Sequence, residues 1–138
     1  MKERSFLDTN ILVYTDDGES PVKRESAIQL LELGLLTRQG VISTQVLQEY
    51  FAASTRKLGV DIELAKQRTR LFSRLMVVQI APEDVLAAID LMQLHRLSFW
   101  DALIVHAALR TECSVLYSED MQDGRVIDGL KILNPFSQ

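Results

Sequence analysis

Cysteine is almost absent from this 138-residue sequence, in which Cys113 is the only one. A single cysteine can form neither an internal disulfide nor a cysteine-based zinc cluster, and this usage is typical of the reducing cytoplasm, where we expect the protein. Long apolar runs are also missing, because charged or polar residues interrupt each one before the roughly 18 to 20 residues that cross a bilayer. Residues 2, 3 and 4 are all charged, so we expect neither a signal peptide nor a membrane anchor.

The sequence has little positive charge. It contains 15 lysines and arginines against 19 aspartates and glutamates, for a formal net charge of -4. This balance argues against a protein that holds nucleic acid by bulk charge, so such a partner would need a local basic patch and cations that offset the acidic groups. Apolar residues are plentiful at 47%, with 25% charged. We therefore predict one globular domain over residues 1–138, with enough apolar material for a core.

Short apolar strands alternate with helices along the chain. We predict strands at residues 5–7, 41–43, 77–80, 115–117 and 130–133. We predict helices at residues 11–14, 21–36, 45–58, 61–75, 83–96 and 98–110. Asn10 is suited to cap the first helix and Ser20 the second, where Pro21 fits the first helical position. Short apolar strands that alternate with helices indicate an α/β fold, a mostly parallel sheet with helices on both faces.

Three acidic residues are predicted to lie at one edge of this sheet. Asp8 directly follows the first strand, and two residues separate Asp120 from the fourth. Glu49 lies about one turn into the helix after the second strand, so its side chain can reach back over the strand ends. Ligands of such sheets bind outside the carboxyl ends of the strands. Asp101 begins the helix before the fourth strand, and its position in the sequence does not place it at that edge.

Each acid also has a purely structural interpretation. Asp8 could be a turn or capping residue, and Asp120 a loop aspartate. Asp101 could form a capping box with Ser98, because the two residues match the S-x-x-D pattern. Glu49 could be a solvated helix residue. What favours a functional site is that three of the four acids fall at one edge.

Five segments of the chain resemble the PIN-domain nucleases, and within them the VapC-like toxins of bacterial toxin–antitoxin pairs. Four of them carry one acid each: FLDTNILVY at residues 6–14, STQVLQEYF at 43–51, SFWDALIV at 98–105 and LYSEDMQDG at 116–124. The last is ILNPF at residues 132–136. The order and approximate spacing match the family from one end of the chain to the other, so the resemblance covers the whole domain.

The resemblance implies a three-layer α/β/α sandwich with a five-stranded, mostly parallel central sheet. It also implies that all four acids meet in one pocket, including Asp101. Asp8 and Asp101 match the positions most directly tied to the metal, and Glu49 and Asp120 complete the set. Thr9 and Ser118 match polar positions that could orient a carboxylate or a water; they are secondary candidates.

Four neighbouring carboxylates require positive charge. Two carboxylates about 4 Å apart repel by about 4 kcal/mol at an effective dielectric constant near 20. Divalent cations would offset this repulsion, and the expected cofactor is Mg²⁺, with Mn²⁺ as a substitute. A metal-bound acidic pocket of this kind is suited to hydrolysis of phosphodiesters. For substrate binding, Lys66, Arg70 and Arg74 recur every four residues and could contact RNA phosphates, although a solvated helix face is an equal alternative.

These patterns predict a metal-dependent endoribonuclease, the toxin of a pair whose partner is an antitoxin protein, present as a homodimer or as a hetero-oligomer with the antitoxin. One alternative is a catalytically inactive PIN-like module that binds RNA or protein. Another is a haloacid-dehalogenase-type phosphatase, which would require a second aspartate where Asn10 stands. Phe99 and Trp100 are predicted to pack into the core beside Asp101, with base stacking as the alternative for these rings.

Overall fold

The computed structural model describes residues 3–137, whose elements alternate between strands and helices. In chain order they are β1 (Arg4–Leu7), α1 (Thr9–Tyr14), α2 (Pro21–Thr37), β2 (Gly40–Ser43), α3 (Thr44–Lys57), α4 (Ile62–Phe72), β3 (Met76–Val78), α5 (Pro82–His95), α6 (Phe99–Arg110), β4 (Cys113–Tyr117), β5 (Val126–Ile127) and β6 (Leu130–Leu133). Every predicted helix and strand is present, with ends that differ from the prediction by at most three residues.

The strands form one sheet in the order β3-β2-β1-β4-β6-β5. All neighbouring strands are parallel except β5, which pairs antiparallel with β6. Helices cover both faces, as the α/β prediction required, and the central strands supply buried side chains such as Phe6, Ile42, Leu116 and Ile132. Among residues 3–137, none of the helices combines the length and the apolar character needed to span a membrane.

The sheet has six strands, so the predicted count of five was wrong by one. The strand that was not predicted is β5. It is only two residues long, which is too short to show the alternation of apolar and polar residues typical of a strand. It is joined to β6 by Asp128 and Gly129, whose φ angles of 49° and 88° are both positive. Positive φ at both central residues is the geometry of the tight hairpin turn that Asp-Gly sequences favour. The dipeptide was therefore a readable signal for this hairpin.

Two predicted helix ends also need correction. Asp8, rather than Asn10, caps α1, because its carboxylate accepts a hydrogen bond from the Thr9 N–H and the helix begins at Thr9. Ser20 precedes α2, but its side chain makes no capping hydrogen bond.

The central position of β1 creates the edge at which the candidate site lies. This strand pairs with β2 on one side and β4 on the other, and the chain leaves the three strands at the same edge. Hydrogen bonding continues beyond the strands, since the Asp8 N–H donates to the Tyr117 carbonyl at 3.0 Å and the Ser118 N–H to the Leu133 carbonyl at 3.0 Å. The strand order reverses at β1, which is where α/β sheets bind ligands.

Candidate active site

Asp8 is the most buried carboxylate of the candidate site, with 6% of its surface exposed. Its Oδ1 accepts the Thr9 N–H at 2.7 Å, and its Oδ2 accepts the Ser118 hydroxyl at 2.7 Å. Burial raises the pKa of Asp8 to about 6, against the opposing effect of these two hydrogen bonds, and the charges of Asp120 and Asp101 raise it further. The group is therefore costly to ionise at neutral pH unless positive charge is supplied.

Asn10 connects Asp8 with Asp120, a role that the sequence had not revealed. Its amide nitrogen donates to Asp120 Oδ2 at 3.1 Å and lies 3.5 Å from Asp8 Oδ2. Its amide oxygen accepts the Glu119 N–H at 3.2 Å, which fixes the orientation of the amide. The Ser118 hydroxyl oxygen accepts the Asp120 N–H at 3.2 Å. The segments after β1 and β4 are thus joined through side chains. The only signal for Asn10 was its place two residues after Asp8.

Glu49 reaches back from α3 to the same edge. Its Oε1 accepts the Thr9 hydroxyl at 2.7 Å, and its Oε2 accepts the Gln45 amide at 3.3 Å. The same Gln45 nitrogen lies 3.4 Å from the Trp100 carbonyl oxygen, so it connects α3 with the start of α6. Gln45 was also missed from the sequence, because its two partners come from different helices.

Asp101 lies in the first turn of α6, and its N–H donates to the Ser98 hydroxyl at 3.1 Å, which is half of a capping box. Burial raises the pKa of Asp101, and the charges of Asp120 and Glu49 raise it further. Asp101 directly follows Trp100, whose carbonyl oxygen lies near the same Gln45 amide that contacts Glu49, so Asp101 lies at the same edge of the sheet as the other acids. Hydrogen bonds thus link Asp8, Glu49 and Asp120 through Thr9, Asn10 and Ser118, and Asp101 lies at the same edge without a hydrogen bond from its carboxylate to this group within residues 3–137.

The chemistry of this group fits a divalent cation. Within residues 3–137, no lysine, arginine or histidine forms an ion pair with any of the four acids. The buried Gln45 Oε1 also has no hydrogen-bond partner there. In the described part of the chain, however, no three acidic, histidine or cysteine side chains already stand close enough to enclose a metal ion. An open set of hard oxygen donors suits Mg²⁺, which keeps several waters when protein carboxylates bind it.

Comparison with known proteins supports the fold that positions these acids. A model of the PIN domain family matches residues 5–125. The chain belongs to the PIN domain family. A search of curated proteins found no match.

Solved structures have the same fold as this PIN domain. A toxin–antitoxin complex from Klebsiella pneumoniae contains a similar chain with 24% identity and a TM-score of 0.72, over 97% of this chain and 99% of that one. The VapC20 toxin of Mycobacterium tuberculosis, described as cleaving the sarcin–ricin loop, matches with 20% identity and a TM-score of 0.65, over 84% and 89%. A DNA-bound VapBC complex from Salmonella typhimurium matches with 20% identity and a TM-score of 0.67, over 95% and 97%.

The predicted basic residues are distributed over two regions of the PIN domain. Lys66 and Arg70 are exposed on α4, where they line a shallow groove with Phe51. Arg74 lies beyond the end of α4 and lines a groove with Gly40 and Met76, the first residues of β2 and β3. Because these residues begin parallel strands, Arg74 lies at the sheet edge opposite the carboxylates. The role of the three side chains in RNA binding stays a prediction.

The prediction that Trp100 packs into the core was wrong. Its surface is 61% exposed, whereas Phe99 is half-buried against the smaller apolar cluster formed by Ala88, Ala102 and Leu103. Trp100 therefore presents an exposed aromatic ring directly before Asp101 in the chain.

Proposed function

We propose that this PIN domain is a metal-dependent endoribonuclease that hydrolyses RNA phosphodiester bonds, and that it is the toxin of a toxin–antitoxin pair. The observation that carries the proposal is the buried Asp8 carboxylate, whose pKa is raised to about 6 and which shares its edge of the sheet with three further acids. None of the four forms an ion pair with a basic side chain of residues 3–137. Such an arrangement destabilises the protein alone, so it is explained best by a cationic ligand. The description of the Mycobacterium tuberculosis toxin as cleaving the sarcin–ricin loop supports RNA as the substrate class.

Asp8 and Asp101 would hold the cation directly, and Glu49 and Asp120 would complete the site. Mg²⁺ is the proposed ion, with Mn²⁺ as a substitute, because both prefer oxygen ligands. When bound, the ion supplies Lewis-acid stabilisation of the negative charge that develops on the reacting phosphate.

The protein's own groups would orient the reacting carboxylates. The Ser118 hydroxyl fixes Asp8 and the Thr9 hydroxyl fixes Glu49, each through a 2.7 Å hydrogen bond. Such bonds restrict the carboxylates to one geometry before substrate arrives. Asp120 is exposed at the rim of the site, where its carboxylate can accept a proton from the attacking water.

Partners and location follow from the same proposal. Lys66 and Arg70 are the proposed phosphate contacts, because the net charge of -4 requires the contact with RNA to be local, and Arg74 would contact RNA that extends to the opposite edge of the sheet. Two of the similar structures are described as toxin–antitoxin or VapBC complexes, which supports an antitoxin protein as partner and a homodimer or a hetero-oligomer with it. The proposed location is the cytoplasm.

The test is RNA cleavage by purified protein with Mg²⁺, with Mn²⁺ and with EDTA. We expect cleavage with either cation and none with EDTA. Asp8→Asn and Asp101→Asn should each lower the rate by about 1,000-fold, since several kcal/mol of charge stabilisation depend on the cation they hold. Asp90→Asn is the matched control, because Asp90 is exposed on α5. Undiminished cleavage in EDTA, or by a folded Asp8→Asn protein, would refute the proposal.

One observation favours a second function. The open spacing of the acids within the described residues is also compatible with an inactive PIN-like module that binds RNA or protein. Calorimetric titration with Mn²⁺ separates the two, because the nuclease requires cation binding that Asp8→Asn abolishes, whereas a binding module does not.

A further inference from the structure

A groove of about 390 Å³ lies next to the acidic group, between the start of α3 and the starts of α5 and α6. Its walls combine the amides of Gln45 and Gln48, the Trp100 indole, and apolar side chains such as Ile80 and Leu103. None of its lining residues is charged. This volume falls within the roughly 300 to 1,000 Å³ that is typical of small-ligand sites.

Gln45 connects the groove directly to the carboxylates. Its amide nitrogen faces two acceptors, Glu49 Oε2 at 3.3 Å and the Trp100 carbonyl oxygen at 3.4 Å. Because both partners only accept hydrogen bonds, the amide cannot be reversed. Gln45 therefore fixes the Trp100 backbone beside Glu49, and Asp101 follows directly in the chain. A ligand held at the acids would have its neighbouring groups at this groove.

Trp100 presents an aromatic ring where the fold does not require one. Its surface is 61% exposed, and its ring contacts Phe99 edge to face, with centroids 5.1 Å apart and planes at 73°. Phe99 packs in turn against the apolar cluster at the start of α6. Gln48 is exposed and lines the same groove as Trp100, and its side chain makes no hydrogen bond to residues 3–137. An amide that is free to donate and accept can pair with the edge of a base.

We infer that this groove binds one unstacked nucleobase of the RNA strand, adjacent to the phosphate at the carboxylates, with Trp100 as the stacking surface and Gln48 as the contact to the base edge. The inference rests on the proposed ribonuclease function and adds a specificity subsite to it. No cationic side chain lines the groove to offset the charge of a phosphate, whereas a base is neutral and planar. Single-stranded RNA is recognised in this way, by stacking on aromatic rings and by contacts to base edges.

The first experiment uses Trp100 itself as the probe, because it is the only tryptophan of the chain. Wild-type protein in Mg²⁺ is titrated with the four nucleoside 5′-monophosphates and with ribose 5-phosphate, which lacks the base. We expect saturable quenching of the tryptophan emission by at least one nucleotide and none by ribose 5-phosphate. Equal quenching by the nucleotides and by ribose 5-phosphate, or no quenching by any nucleotide, would overturn the subsite. Emission that depends on protein concentration alone would assign the groove to a second copy of the chain and would also overturn it.

The second experiment measures cleavage kinetics of single-stranded RNA. Stacking on an aromatic side chain is worth about 1–3 kcal/mol per base, so Trp100→Ala should raise KM about 10-fold and leave kcat within a factor of about two. Trp100→Phe should restore most of the KM, and Gln48→Ala should change the preference among bases. Leu86→Ala is the control, because Leu86 is 64% exposed on α5, close to the 61% of Trp100, and does not line the groove.

The outcomes separate the subsite from the proposed activity. Nucleotide quenching in a protein that cleaves no RNA would uphold the subsite and refute the ribonuclease. RNA cleavage with an unchanged KM in Trp100→Ala would uphold the ribonuclease and refute the subsite. An abasic residue placed beside the cleaved bond should remove the difference between wild type and Trp100→Ala, and a persisting difference would contradict base stacking.

Discussion

Asp8 and Asp84 are both buried, with 6% and 5% of their surfaces exposed, but their partners differ in charge. Asp84, near the start of α5, accepts the Ala81 N–H at 2.8 Å and lies 2.8 Å from His106 Nε2 and 3.0 Å from an Arg110 nitrogen. Asp8 accepts hydrogen bonds from the neutral Thr9 N–H and Ser118 hydroxyl, and its charged neighbours are other acids.

The two environments shift the pKa values of the two aspartates in opposite directions. Burial acts to raise the pKa of Asp84, but the Ala81 N–H, the His106 ring and the Arg110 guanidinium together hold it below its usual value. The pKa of Asp8 is raised to about 6, because burial is not balanced by a cation. The protein therefore supplies a cation for Asp84 in Arg110, whereas the positive charge for Asp8 is left to come from solution. A charged buried acid stabilises the fold in the first case and marks a binding site in the second.

The largest expected effect on stability is at Asp84. Asp84→Asn keeps the shape of the side chain but removes the charge that His106 and Arg110 face, so the free energy of unfolding should fall by about 3 kcal/mol. Chemical denaturation at neutral pH measures this value. Asp90→Asn, on the exposed face of the same helix, is the control and should change stability by less than about 0.5 kcal/mol. An Asp84→Asn protein as stable as this control would remove the contrast between the two aspartates.

In metal-free protein, removing the charge of Asp8 should have the opposite effect and raise the free energy of unfolding relative to wild type. Its pKa is raised in the folded state from 3.8 to about 6, so the unfolded chain releases the proton first as pH rises. The contribution of Asp8 to the free energy of unfolding is fully present below about pH 4. It falls by up to about 3 kcal/mol as pH rises from about 4 to about 6. Asp8→Asn cannot titrate, and it should therefore become more stable than wild type as pH rises from 4 to 7. Denaturation curves in EDTA across this range measure the difference, and parallel pH profiles would contradict the prediction.

The sequence predicted the edge of the sheet better than it predicted the contacts there. Asp8 and Asp120 were placed correctly because each follows a parallel strand, and the strand alone determines the edge. Asp101 required the family resemblance, since the start of α6 reaches that edge through packing between distant segments. Asn10 and Gln45 were missed for the same reason: their partners are 110 and 55 residues away in the chain. The burial of an aspartate can be read locally, but the charge of its partners cannot.

Added divalent cations should supply Asp8 with the positive charge that Asp84 already receives from the protein, and should therefore stabilise the fold. Mg²⁺ or Mn²⁺ at 100 times its dissociation constant should raise the free energy of unfolding of the wild type by about 2.7 kcal/mol, because only the folded protein assembles the site. Thermal unfolding with and without the cation measures this gain. Asp8→Asn should lose most of the gain, whereas Asp84→Asn should keep it despite its lower baseline. Equal gains in both variants would show that the cation does not bind at Asp8.

The smallest expected effect is that of substituting Asn10. This neutral residue contacts the Asp8 group, whereas His106 and Arg110 contact Asp84. Its amide donates to Asp120 and lies near Asp8 without adding charge, so it can orient the acids while leaving their positive charge to be supplied by a cation. Asn10→Ala should lower kcat for RNA cleavage about 10-fold, equivalent to about 1.4 kcal/mol, with little change in KM. The control Gln29→Ala, on the exposed face of α2, should change neither constant. A larger change in KM than in kcat would show that Asn10 contacts the substrate rather than orienting the acids.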